Sequence, residues 1–182
     1  MSKLAPNDLY SLEQYAKARP GFRAQVMAHK EERKVPIGPN ATLYFEDRLT
    51  MQYQVQEMLR IERIADPKGI TDELEVYNAL VPDGGNWKAT FMMEYPDVDE
   101  RRVWVRVSGF DPVYAIADED LEREDETKTS SVHFMRFELT AEMRRAARGG
   151  AATAAGIDHQ HYRHSTQVAP AVRESLAQDL SA

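Results

Sequence analysis

The spacing of apolar residues changes most sharply along this chain near residue 86, and that change constrains the fold more than any other feature. Before it, side chains repeat at helical intervals. Phe22, Val26 and His29 fall at i, i+4 and i+7, and Met51, Val55, Met58 and Leu59 share a stripe. After it the alternation has a period of two. Trp87, Ala89, Phe91, Met93 and Tyr95 alternate with Lys88, Thr90, Met92 and Glu94, and Val103, Val105 and Val107 with Trp104, Arg106 and Ser108. A later strand, Val132 to Leu139, puts His133, Met135, Phe137 and Leu139 on one face. Helices followed by strands predict an α+β fold: a mainly antiparallel sheet of about four strands, packed against N-terminal helices, with a C-terminal helix.

Capping and breaking residues set the expected boundaries. Asn7 or Asp8 caps a helix toward Arg19, Pro20-Gly21 breaks it, and a second helix carries Phe22 to His29. Val35 to Asn40, rich in proline and glycine, reads as a rigid connector, and Thr42 to Phe45 as a short strand or an extended lead-in. The run Glu46 to Ile64 reads as one long helix with Asp47 as N-cap, ending before Asp66-Pro67. Thr71 caps a shorter helix through Tyr77, and Val81 to Asn86 is a loop. Gly109 to Pro112 turns the chain from Val107 back into Val113 to Ala117. Thr140 caps a helix to Arg148, and Pro170 opens a last one through Val172, Leu176 and Leu180. The small residues Gly149 to Gly156 suggest a mobile stretch or loose helix. The expected organisation is therefore one α+β domain over 1–148 and an Ala-rich extension over 149–182 with a short helix.

Several function classes fall away on composition. A net charge of −7 over 182 residues, with no long basic block, argues against a nucleic-acid partner. The absence of cysteine removes disulfides, thiolate catalysis and cysteine-held metal clusters from this chain. Met1 to Tyr10 has no apolar core of a signal peptide, and no run has the length of a membrane span, so a cytoplasmic protein with no membrane partner is expected. The acidic segment Asp118 to Glu126 reads as a polar, solvated face.

The segments Tyr10-Ser11-Leu12-Glu13-Gln14-Tyr15, Phe45-Glu46-Asp47 through Gln56-Glu57-Met58-Leu59-Arg60, and Asn78-x-Leu80-x-Pro82-Asp83-Gly84 carry a family resemblance. So do Tyr114 to Leu121, Val132 to Leu139, and Asp158-His159-x-x-Tyr162-Arg163. In this order, over roughly residues 5 to 164, they resemble an uncharacterised bacterial family known as a domain of unknown function. The resemblance implies a redox or oxidative-stress setting, because members are commonly encoded beside rubrerythrin-like proteins and heterodisulfide-reductase-type iron–sulfur proteins. Relatives often carry a longer segment between the residues matching Arg102 and Val103, which this chain lacks.

Two sets of residues are candidates for function. On a helical wheel Gln52, Gln56, Arg60 and Arg63 form one polar face of the long helix, suited to a partner. The first reading is therefore an accessory protein that binds a rubrerythrin-like or iron–sulfur redox protein through this face and the acidic loop. The same wheel puts Glu62 in the middle of the apolar face, where a carboxylate must be paired or bound to a metal. A salt bridge to Arg33, Arg106 or Arg136 would satisfy it, and fraying of the helix end would leave it exposed to water. The alternative groups Glu62 with His29, His133 and His159 as ligands of iron or zinc in an oxidoreductase or hydrolase, since those metals take imidazole nitrogen and carboxylate oxygen. Asp158 could orient His159. No pair has the spacing of a known metal motif, and a lone histidine is more often a hydrogen-bonded core or surface residue than a ligand. A third reading is a small-molecule sensor with a pocket between helices and sheet.

Overall fold

The structure, a computed structural model, describes residues 2–94, 102–117 and 131–181. The acidic segment Asp118 to Glu126, and Tyr95 at the end of the first long alternation, lie outside these residues.

Helix α1 spans Leu12–Glu31 and runs on through Pro20. The expected break is absent. Proline removes one hydrogen bond, but Tyr15 and Val26, on either side of it, are buried, and the rings of Tyr15 and Phe22 meet edge-on. The N-cap is Ser11 rather than Asn7 or Asp8. Its hydroxyl accepts from the Gln14 amide, and the Gln14 side chain accepts from the Ser11 amide. Strands β1 (Lys34–Ile37) and β2 (Ala41–Glu46) follow, so the expected connector is partly a strand. Pro36 is tolerated there because β1 is an edge strand.

Helix α2 (Arg48–Glu62) is capped by Asp47, as its sequence predicts. Helix α3 (Pro67–Asn78) is capped by Asp66 with Pro67 at its first position, not by Thr71. Strands β3 (Asn86–Met93) and β4 (Val103–Val107) match the two alternating runs. The return strand is split in two: β5 (Val113–Tyr114) pairs with β4, while β6 (Ile116–Ala117) pairs with β7 (Ser131–Glu138). Helix α4 (Ala141–Arg148), strands β8 (Thr153–His159) and β9 (Tyr162–Gln167), and helix α5 (Pro170–Ala177) complete the fold.

The class is α+β with antiparallel pairing, but the strands form two sheets: β1-β2-β3-β7-β6 and β5-β4-β8-β9. The segment 149–156, expected to be mobile or loosely helical, leads into β8. Its residues are small because Trp104 of β4 lies directly over Gly156, where a Cβ would come within 2.3 Å of the indole. Ala155, Ile157, Tyr162, Val172 and Leu176, all beyond residue 148, join the same core as Leu43, Phe45, Trp87 and Phe137. That core fills the space between the sheets. On the other face of the five-stranded sheet, Met51, Val55 and Leu59 of α2, Leu74 of α3 and Leu80 in the turn after α3 pack together with Phe134 of β7. Alternation therefore sends Thr42, Tyr44 and Glu46 of β2 toward the helices, while Leu43 and Phe45 enter the core between the sheets.

Candidate functional site

The polar face of α2 turns largely toward the chain's own N-terminus. Gln56 is fully buried; its Oε1 accepts from the Tyr10 amide at 2.6 Å and its Nε2 donates to the Tyr10 carbonyl at 3.4 Å. Gln52 donates to the Asp8 carbonyl at 2.7 Å. Arg60 and Arg63 remain exposed. The expectation that all four face outward is corrected for the two glutamines, which serve as backbone partners for the N-terminal segment: Asp8 at the end of a short 3-10 turn (Pro6–Asp8), and Tyr10 beyond it.

Glu57, between them, ties α1 to α2. It accepts from the Tyr15 hydroxyl at 2.7 Å, from Arg19 Nε and an Arg19 terminal nitrogen at 2.7 and 2.9 Å, and from Arg60 at 3.1 Å. Arg19, with help from Arg60 and Tyr15, holds its carboxyl down to about 2 against the opposing effect of partial burial.

Glu62, the last residue of α2, is exposed, so the expectation that it points into the core is overturned. The chain leaves the helix there through Arg63 in the left-handed conformation; within the final turn Leu59 is buried, while Arg60, Ile61 and Glu62 are exposed. Arg33, one of its expected partners, is engaged elsewhere. It is buried and donates to the carbonyls of Phe45 and Glu46 at 2.9 and 3.1 Å and to the Ser175 hydroxyl at 3.0 Å. It also forms an ion pair with Asp179 and lies 3.5 Å from Asp47. His29, on α1, meets Asp47 at 2.6 Å. Burial alone would raise the Asp47 carboxyl, but Arg33, the Thr50 amide and His29 outweigh it and the net displacement is downward. At Asp179 burial dominates, and its carboxyl rises to about 6.

His133 stands on β7, half-buried, with an unpartnered Nδ1. His159 ends β8 and meets His161 edge-on. His29, Glu62, His133 and His159 thus sit on separate elements. No group of three or more metal-ligating side chains among the described residues is placed to hold an ion.

What the fold does assemble is a cavity of about 230 Å³ between the helical layer and the five-stranded sheet. Met51, Leu80 and Phe134 give it apolar walls, Val76 and Val132 stand at its exposed edge, and Lys30, Gln54, Thr90 and Glu46 are its polar members. Glu46 is only 4% exposed. The Thr90 hydroxyl donates to its Oε1 at 2.6 Å, whereas its buried Oε2 has no hydrogen-bond partner. Lys88, opposite Glu46 on β3, sends its ammonium instead to the Ala79 carbonyl. A buried carboxylate oxygen left in this state costs several kcal/mol by general expectation, roughly 1–3 for the lost hydrogen bond alone.

A family model for proteins of unknown function, DUF3501, matches residues 3–180. The chain belongs to this family. A solved structure, the crystal structure of a novel protein of unknown function from Burkholderia pseudomallei K96243, is 46% identical. The match covers 99% of this chain and 100% of that one, with a TM-score of 0.90. A comparison with curated proteins finds no match. The two chains share one fold over their whole length, and no helix among the described residues is long and apolar enough to cross a membrane.

Glu46 escaped the sequence reading because it was counted as the start of the long helix. The signal that could have found it was the alternation Thr42, Tyr44, Glu46, continued by one step up to the capping Asp47. Arg33 and Asp179, far apart in the chain, offered no such signal.

Proposed function

We propose that this DUF3501 protein binds a small molecule in the cavity between its helices and its five-stranded sheet, and acts as a sensor or carrier of that molecule. The observation that supports this is Glu46 Oε2, a buried carboxylate oxygen with no partner, on a residue lining the cavity. An ion pair with a residue of the fold would have been the ordinary solution, and none among the described residues supplies it. A ligand bearing a positive charge or a strong N–H donor would complete the site, with its apolar part against Met51, Leu80 and Phe134. The cavity is smaller than the roughly 300 Å³ at which drug-sized sites begin, so the ligand is of metabolite size.

The test is a thermal-shift screen of primary amines against the wild type and Glu46→Gln. The substitution keeps the shape and the Thr90 contact and removes the charge. Amines should raise the melting temperature of the wild type and not of the variant, because a ligand that binds only the folded state stabilises it. Equal shifts in both proteins, or shifts in neither, would refute the reading. The variant alone should melt no lower than the wild type, since it relieves an uncompensated buried charge.

A further inference from the structure

We infer that the ligand is a small zwitterion, an amino acid with its ammonium at Glu46 and its carboxylate at Lys30; this rests on the cavity being a binding site at all. Two opposite charges line the same small cavity. Glu46 closes β2 on the sheet side, and Lys30 lies in the last turn of α1 on the helical side. They do not pair with each other, and no ion pair among the described residues involves Lys30 or Glu46. Opposite charges free to meet in a partly enclosed space gain by doing so, and more as water is excluded. Here the backbone holds them on two different layers, so the gain is open to a molecule that reaches both.

The burial of the two ends is unequal, and that sets the orientation. Glu46 is buried, and the desolvation of its carboxylate calls for a close cationic partner. Lys30 is half-buried, its ammonium on a flexible stem that can follow a carboxylate placed near the edge. Gln54, half-buried on α2, offers an amide N–H to the same carboxylate. Between the ends Met51, Leu80 and Phe134 present apolar surface, which favours a hydrocarbon spacer over a polar one.

The experiment is calorimetric titration of the full chain with four probes: 5-aminopentanoate, leucine, n-pentylamine and pentanoate. At least one zwitterion should bind about tenfold more tightly than n-pentylamine, and pentanoate should bind more weakly than either. A preference for 5-aminopentanoate would mark a long spacer and a preference for leucine a compact one; both support the inference. Lys30→Met should bring that zwitterion down to the affinity of n-pentylamine and leave n-pentylamine unchanged, whereas Glu46→Gln should abolish both. Should Lys30→Met fail to fold, Lys30→Gln serves the same comparison. If n-pentylamine binds the wild type as tightly as both zwitterions, or the advantage survives loss of Lys30, the zwitterion inference is overturned while the amine site stands. If no cation binds the wild type, the cavity reading itself fails.

Discussion

Replacing Glu57 with glutamine is expected to cost about 1–2 kcal/mol at neutral pH. The figure comes from the ion pairs that join α1 to α2. A glutamate carboxyl ordinarily near 4.5 is held at about 2 by Arg19, Arg60 and Tyr15. At roughly 1.36 kcal/mol per tenfold change in proton affinity, the fold prefers the charged over the neutral side chain by about 3 kcal/mol. Glutamine stands in for the neutral form: it can still accept from Arg19 and from the Tyr15 hydroxyl but offers them no charge. Glu57 is 13% exposed, but its partners Arg19 and Arg60 are 34% and 41% exposed, so solvent screening cuts this to about 1–2 kcal/mol. For a chain of this length the melting temperature should fall by about 2–8 °C. The pH dependence has a fixed sign. Because the folded value is depressed, the stabilisation is complete above about 4.5 and disappears as pH falls through about 2. Urea melts of both proteins at pH 7, 5, 4 and 3 should therefore show a constant gap at the first two and a shrinking one below. A gap under about 1 kcal/mol at pH 7, or one that is as large at pH 3 as at pH 7, would refute the argument.

Three further outcomes follow from the geometry. Gly156→Ala should destabilise by about 1–3 kcal/mol in denaturant melts, since the new methyl would sit 2.3 Å from the Trp104 ring and β4 and β8 would have to part. The Asp179 carboxyl is raised to about 6 by burial, so its ionisation opposes folding. Wild type should therefore gain about 1 kcal/mol relative to Asp179→Asn between pH 7 and pH 5, and a wild type that loses stability relative to the variant on acidification would show the sign to be wrong. Gln56→Ala should leave the Tyr10 amide without its 2.6 Å acceptor. Hydrogen exchange at Tyr10 should then accelerate well beyond the change at core amides such as Phe91, and a uniform acceleration would mean only global loosening.

Local chemistry made some parts of this fold legible. Asp47 before a helical run and Thr140 before another announced their caps, because a short acceptor side chain at that point satisfies a free amide without help from elsewhere. The alternation of Trp87 to Met93 announced a strand with one face in a core, as burial confirms. Pro20 misled, since the cost of a proline inside a helix is local while the packing of Tyr15 and Val26 that offsets it is not. The small residues of β8 misled for the same reason. Nothing beside Ala154-Ala155-Gly156 in sequence says that an indole from β4 needs the room.

The candidate site divides along the same line. The amino-acid sequence by itself determined which side chains are chemically capable: the carboxylates, the lysine, the amides, and the absence of any thiol. It also determined the period of each element, because hydrophobic spacing and capping act over a few residues. Only the tertiary structure decided which capable groups are already satisfied. Gln56 meets Tyr10, Glu57 meets Arg19, and Arg33 meets Asp179, contacts across 46, 38 and 146 residues of chain. Glu46 Oε2 meets none among the described residues, and its burial beside Lys30 in a shared cavity is what sets it apart from a surface charge. Hydrogen bonding and desolvation depend on what stands within a few ångströms, and for these groups the layers of the fold determine what that is.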